Sequence, residues 1–188
     1  TTALFLYVYI LWVAHDVLFT QKKKLLGDYL KFNKFTIWIL VLLTVQIVYG
    51  AFVAGLKAGL IINTFPLMAG QWVHSSVWTA IGDMGISAFT ENVVVVQFMH
   101  RYLAKILLIV GIVFWWIYRK KDLSGSLKIT LNWMIGVFAG QFLLGVFTLL
   151  FAVPVWMGVL HQFGAIVLLT VLVYMLHRSR SADRIEMA

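Results

Sequence analysis

The chain has 188 residues, 62% of them hydrophobic and only 12% charged, with a mean hydropathy of +0.94, so it carries too little polar surface for a soluble domain and lipid is its main solvent. Its net charge of +8 sits in short stretches between apolar runs, which is the pattern of membrane orientation and argues against a nucleic-acid partner. The absence of cysteine excludes disulfides, thiolate zinc sites, iron-sulfur clusters and thioether-linked haem within these residues.

The apolar runs are continuous rather than alternating. This selects helices over a barrel, because every backbone polar group in hydrocarbon needs a partner within its own segment or in a closed sheet. Five segments are predicted to span: Thr1 to Phe19, Phe35 to Leu56, Val93 to Tyr118, Leu127 to Val153 and Pro154 to Leu176. Each meets the requirement of about 20 helical residues. The fold class expected is all-α, a polytopic transmembrane helical bundle of five spans. The last four spans form an antiparallel four-helix bundle with an internal pseudo-two-fold repeat.

The first segment opens in apolar sequence with no initiator methionine, charged flank or cap, and is read as the last helix of an earlier bundle in a longer protein. Residues 20–34 form a basic loop with Lys22, Lys23, Lys24, Lys31 and Lys34. Segment two carries Gln46, then Gly50, Ala51 and Phe52; segment four repeats the pattern with Gln141, Gly145, Val146 and Phe147. Between segments two and three lies a long connection, 57–92, holding Asn63-Thr-Phe-Pro-Leu-Met68, Gln71, Trp72, His74 and Trp78. It is expected to be a lid at the membrane surface with a short interfacial helix, or a loop anchored by its tryptophans with no ligand. Arg119, Lys120, Lys121 and Lys128 follow segment three, and Arg178, Arg180 and Arg184 follow segment five. With the five lysines of the first loop these are twelve of the 15 Lys and Arg. All fall on one side, which the positive-inside rule makes the cytoplasmic or matrix side. Residues 179–188 are the tail on that side, and 35–178 the bundle.

An ionisable residue inside a membrane helix is a functional candidate by default. His100 and His161 each lie seven residues after Val93 and Pro154, which open their segments. At 1.5 Å per residue both are about 10 Å below the outer surface. Equal depth on two helices of one bundle suits a haem with one axial imidazole from each. Gly158, Gly164 and Ala165 around His161, Ala104 beyond His100, and Gly50 and Gly145 on the other segments leave room for a macrocycle. The competing reading is close helix packing with each histidine bonded to a carbonyl. Zinc would be short of ligands without a nearby carboxylate or thiolate. Arg101 and Lys105 are positioned to pair with haem propionates, or to snorkel to the outer headgroups, and the same two readings hold for Lys57. Gln97, Gln162, Gln46 and Gln141 are candidates for bonds to the imidazoles or between helices. His15, His74 and His177 are read as interfacial.

Four stretches, Gly50-Ala-Phe-Val-Ala-Gly-Leu-Lys-Ala-Gly59, Asn63-Thr-Phe-Pro-Leu-Met68, Gln97-Phe-Met-His-Arg101 and Leu160-His-Gln-Phe-Gly-Ala165, resemble the haem A synthase family in order and spacing. The resemblance implies a protein of two four-helix bundles, of which this chain carries the C-terminal one, with His100 and His161 as ligands of a haem b cofactor. It implies an oxidoreductase that converts a methyl group of haem O to formyl, giving haem A for cytochrome oxidase, with the haem O site and its catalytic residues in the absent half. On that reading the 188 residues bind haem b without making haem A alone. Haem O synthase and an electron donor are candidate partners beside the bilayer. The location implied is the cytoplasmic (inner) membrane of a bacterium, or the mitochondrial inner membrane. Two other functions use the same features: a b-type membrane electron carrier, and a transporter or scaffold with no cofactor.

Overall fold

A computed structural model describes residues 2–18 and 28–181. Among these the regular structure is helical: α1 (Thr2–Leu18), α2 (Asp28–Gly55), α3 (Ser75–Met84), α4 (Ala88–Glu91), α5 (Val93–Tyr118), α6 (Gly125–Leu150) and α7 (Val155–Ser181), with single 3-10 turns at Ala58–Leu60 and Gly85–Ser87. Four helices, α2, α5, α6 and α7, are long and apolar enough to cross a membrane; α1 is apolar with 17 residues. The outward side chains Trp38, Trp133, Val155 and Phe163 are each more than 60% exposed. A surface of that kind is tolerable in lipid and not in water. The chain is a multi-pass membrane protein.

Helix α2 begins at Asp28, within the stretch expected to be a loop over 20–34. The residues explain the difference: Tyr29, Phe32, Asn33 and Thr36 are all buried, and spacings of three, four and seven make one helical stripe. The two lysines between them, Lys31 and Lys34, do not interrupt that stripe. Lys22, Lys23, Lys24 and Arg184, used above for orientation, lie outside the described residues. Helix α7 likewise continues to Ser181, past the Leu176 limit expected, because Leu176, His177 and Ser179 are buried.

The helices contribute to two compact units. The described residues of the first are 2–18, 28–43, 109–138 and 166–181. Its core joins α2 to α5 through Phe32 and Phe114 (ring centroids 5.0 Å), Phe32 and Tyr118 (4.9 Å) and Phe35 and Phe114 (4.9 Å). Trp115 Nε1 donates to Asn132 Oδ1 at 2.8 Å, tying α5 to α6. Arg178 donates to Ser126 Oγ at 3.3 Å, tying α7 to α6. Ser179 donates to Asn33, closing the ring between α7 and α2. Helix α1 docks on α7: Tyr7 and Thr170 share a 2.6 Å hydrogen bond, and Asp16 Oδ1 meets His177 Nε2 at 2.7 Å. His15 and His177, read from sequence as two separate interfacial residues, are buried side by side with ring centroids 5.3 Å apart.

The second unit comprises residues 44–108 and 139–165 and contains the whole long connection. Helices α3 and α4 close a small apolar core of Val77, Ala80, Ala88 and Val95, with Val73, Ile81, Phe89, Val94, Phe98 and Met99 packed around it. This seats the connection on the first turns of α5. His74 is the N-cap of α3, its side chain accepting from the Ser76 amide, and Asn92 Oδ1 caps α5 by accepting from Val94 and Val95. Such caps satisfy amides that have no partner inside the helix. The expected tight turn after α6 is made by Ala152 and Val153, both left-handed (φ 56 and 57). Non-glycine residues adopt that conformation at a cost of roughly 1–2 kcal/mol each. Bonds from Ala152 to the Leu149 carbonyl and from Val153 to the Thr148 carbonyl offset it.

Candidate functional site

All the residues of the candidate site lie in the second unit. Asn92 fixes the start of α5, and His100 follows two turns in. The left-handed corner fixes the start of α7, and His161 lies in its second turn. The two imidazoles are neighbours in a T-shaped arrangement, with ring centroids 6.5 Å apart and planes at 79°. Two metal–imidazole bonds of about 2 Å each, on opposite sides of one metal, set ring centroids about 6 Å apart. The pair therefore spans the distance of a single shared metal.

Each imidazole rests on a glycine of another helix. A Cβ on Gly50 of α2 would stand 3.3 Å from His100 Cε1, and one on Gly145 of α6 only 2.8 Å from His161 Cε1. One turn before each glycine, a glutamine grips the same histidine's backbone. Gln46 Nε2 donates to the His100 carbonyl at 3.1 Å, and Gln141 Nε2 donates to the His161 carbonyl at 2.5 Å. The two Gln-x-x-x-Gly stretches noted in the sequence thus perform the same task for two histidines. They differ in one respect: Gln46 Nε2 also lies 3.2 Å from His100 Nδ1, whereas His161 Nδ1 is buried and, among the described residues, has no hydrogen-bond partner. A buried polar nitrogen left so costs roughly 1–3 kcal/mol, and such a group is expected where a ligand completes the bonding.

Among the described residues no group of three or more His, Cys, Asp or Glu is placed to hold a metal ion. Two imidazoles with no further side-chain ligand suit a metal whose remaining positions are filled by a macrocycle. The paired distance and the glycine cradles fit a haem held by His100 and His161.

Arg101 is only 7% exposed. Its guanidinium donates to the carbonyls of Thr64 (2.7 Å), Leu67 (3.0 Å) and Pro66 (3.3 Å). Gln97 Nε2 reinforces it by donating to the Ile62 carbonyl at 3.0 Å. Asn63 ties the same stretch to the end of α6, donating to Leu149 O at 2.8 Å. Tyr102 OH donates to Trp72 O, and Lys105 Nζ lies over the rings of Tyr102 (4.3 Å), Trp72 (5.6 Å) and Phe65 (5.8 Å). More than two turns of α5, from Gln97 to Lys105, therefore bind the connection. The sequence showed the cations and the lid but not their contact, because the acceptors are main-chain carbonyls that leave no mark on residue type. Gln162 is exposed and takes no part in the histidine pair. Lys57 marks the exit of α2 in a left-handed conformation (φ 54).

The COX15-CtaA model, described as cytochrome oxidase assembly protein, matches residues 1–173. The chain belongs to this family. It is 40% identical over 181 residues to a haem A synthase of Flavobacterium psychrophilum, covering 95% of this chain and 52% of that protein. It is 36% identical to a haem A synthase of Parvibaculum lavamentivorans, covering 90% of this chain and 46% of the relative. It is 37% identical to the haem A synthase COX15 of Arabidopsis thaliana, covering 80% and 32%. The chain thus spans about half the length of the bacterial relatives. No solved structure matches it.

Within this COX15-CtaA chain the glycine cradles make an unequal pair of predictions. Gly145→Ala places a methyl group 2.8 Å from His161 Cε1, and such overpacking costs about 1–3 kcal/mol. At Gly50 the 3.3 Å approach is relieved by a shift of a few tenths of an ångström, and a helix-propensity gain of about 1 kcal/mol over glycine offsets it. Thermal unfolding in detergent should show Gly145→Ala clearly destabilised and Gly50→Ala close to the parent. Equal effects would contradict the difference in packing.

Proposed function

We propose that this chain is the haem-binding part of a haem A synthase, in which His100 and His161 would hold a haem b. The observation that carries the proposal is the histidine pair, 6.5 Å apart, each member backed by a glycine and gripped by a glutamine. In the architecture proposed, α2, α5, α6 and α7 form an antiparallel bundle with an approximate two-fold relation between its two Gln-Gly-His sets, and α1 is a fifth span. The basic helix ends face the cytoplasm or matrix, in the inner membrane.

A bis-imidazole haem supplies one-electron transfer. The protein's share is to present two neutral imidazole nitrogens, to hold them through Gln46 and Gln141, and to keep water away with the lid that Arg101, Gln97 and Asn63 fasten. Arg101 enters the cofactor's surroundings through the segment it holds. The reaction of the whole enzyme, oxidation of a haem O methyl group to formyl, is assigned to residues of the longer relatives that this chain does not cover, so the 188 residues bind haem b and make no haem A by themselves. Haem O synthase and an electron donor are the partners this assignment calls for. A free-standing b-type electron carrier would use the same ligands, but the kinship with cytochrome oxidase assembly proteins favours the synthase.

The test is the reduced-minus-oxidised absorbance spectrum of the purified chain supplied with haem, with the haem typed as its pyridine adduct. A low-spin b-type spectrum at one haem per chain is expected. A folded chain that stays colourless with haem present would overturn the proposal.

A further inference from the structure

We infer that Gln46 and Gln141 are positioning residues, each setting the orientation of one ligand imidazole by holding the carbonyl of the histidine itself. The inference rests on the haem reading above and adds to it the means by which the two ligands are aimed.

A helix carbonyl accepts one bond from the amide four residues on and keeps a second lone pair. At His100 and His161 that lone pair receives a glutamine amide from another helix, at 3.1 Å and 2.5 Å. The consequence is geometric. Successive residues of a helix are 100° apart around its axis, so a small rotation of α5 or α7 swings an imidazole off its target. A tie at the ligand residue's own peptide suppresses that rotation where it matters most.

The spacing is part of the device. Gln46 and Gly50, like Gln141 and Gly145, are four apart and so lie on one face of their helix. The face that grips the carbonyl also opens the gap in which the ring rests, and helix and histidine are located by two contacts rather than one. The same arrangement occurs at both histidines, on different helix pairs, which an incidental hydrogen bond between helices does not explain. The Gln46 amide lies near three acceptors of His100, its carbonyl at 3.1 Å and its two ring nitrogens at 3.2 and 3.4 Å. A glutamine in an apolar interior is costly unless bonded, and Gln141 meets this by bonding His161 while its Oε1 lies against Gly164. The two grips are unequal in reach: Gln46 also faces the His100 ring, so His100 is held at backbone and imidazole, and His161 at backbone alone.

The experiment uses the full chain loaded with haem b and compares it with Gln46→Met and Gln141→Met, and with the milder Gln46→Asn and Gln141→Asn. Thr170→Val, which removes the Tyr7 bond in the first unit, serves as the control for loss of an ordinary bond between helices. Residues that orient metal ligands cost about 10–100-fold in affinity when removed, and haem affinity is expected to fall by that factor in both methionine variants. Their low-spin electron paramagnetic resonance signal should broaden or split and their midpoint potential shift. The asparagine variants should show the same changes if the methionine variants do not fold. Thr170→Val should lower the unfolding temperature and leave spectrum, potential and affinity as in the parent. Glutamine variants that behave like Thr170→Val, less stable but spectroscopically unchanged, would overturn the inference while leaving the haem proposal intact. A parent chain that binds no haem would instead remove the proposal on which it stands.

Discussion

His161→Ala and His100→Ala are each expected to abolish the low-spin b-type spectrum of the haem-loaded chain while leaving a folded helical protein. With one imidazole gone, the remaining one offers a single axial bond, so haem is either lost or retained in a high-spin form. Because each ring occupies a gap floored by a glycine, at Gly50 and Gly145, the alanine variants contain a space of imidazole shape. Added imidazole should therefore restore part of the low-spin signal. The effect on folding should be much smaller than the effect on the spectrum, since each helix keeps its glutamine bond to the backbone carbonyl. A function without cofactor makes the opposite forecast, a local packing loss and no spectral consequence. An unchanged low-spin spectrum in either variant would show that this histidine is not a ligand.

Arg101→Met is expected to release the lid. The guanidinium holds three loop carbonyls within 3.3 Å, and hydrogen bonds to a charged group contribute about 1.5–3 kcal/mol each. Their loss leaves carbonyls that must find water or shift, so residues 62–72 should become the first site of proteolytic cleavage and of amide hydrogen exchange. Arg101→Lys should restore part of the protection, because the three carbonyls within 3.3 Å all lie on the single nitrogen Nη2 and only the 3.5 Å contact to the Ile62 carbonyl comes from Nη1. The measurement separates this role from direct pairing with a haem propionate. If the loop keeps its protection in Arg101→Met and only haem affinity falls, Arg101 acts on the cofactor and not on the lid.

The membrane class, four of the five expected spans, the histidine pair and the repeated Gln-x-x-x-Gly stretches were readable from residue order, while the first expected span is a 17-residue apolar helix. Each depends on local physics: apolar length sets a span, distance from a helix start sets depth, and a spacing of four sets a common face. The helical start at Asp28 was also present in the spacing of Tyr29, Phe32, Asn33 and Thr36, masked by the lysines among them. Other features had no local signal. His15 and His177 are brought together from opposite ends of the chain by α1 docking on α7. Arg101 reaches the carbonyls of Thr64, Pro66 and Leu67 because the long connection folds back onto α5. That each glutamine amide reaches the carbonyl of a histidine on another helix also had no local signal. Sequence fixes what a helix can bury and how deep a residue lies. Only the packing of helices against one another decides which main-chain acceptor a side chain reaches, because every residue presents the same carbonyl.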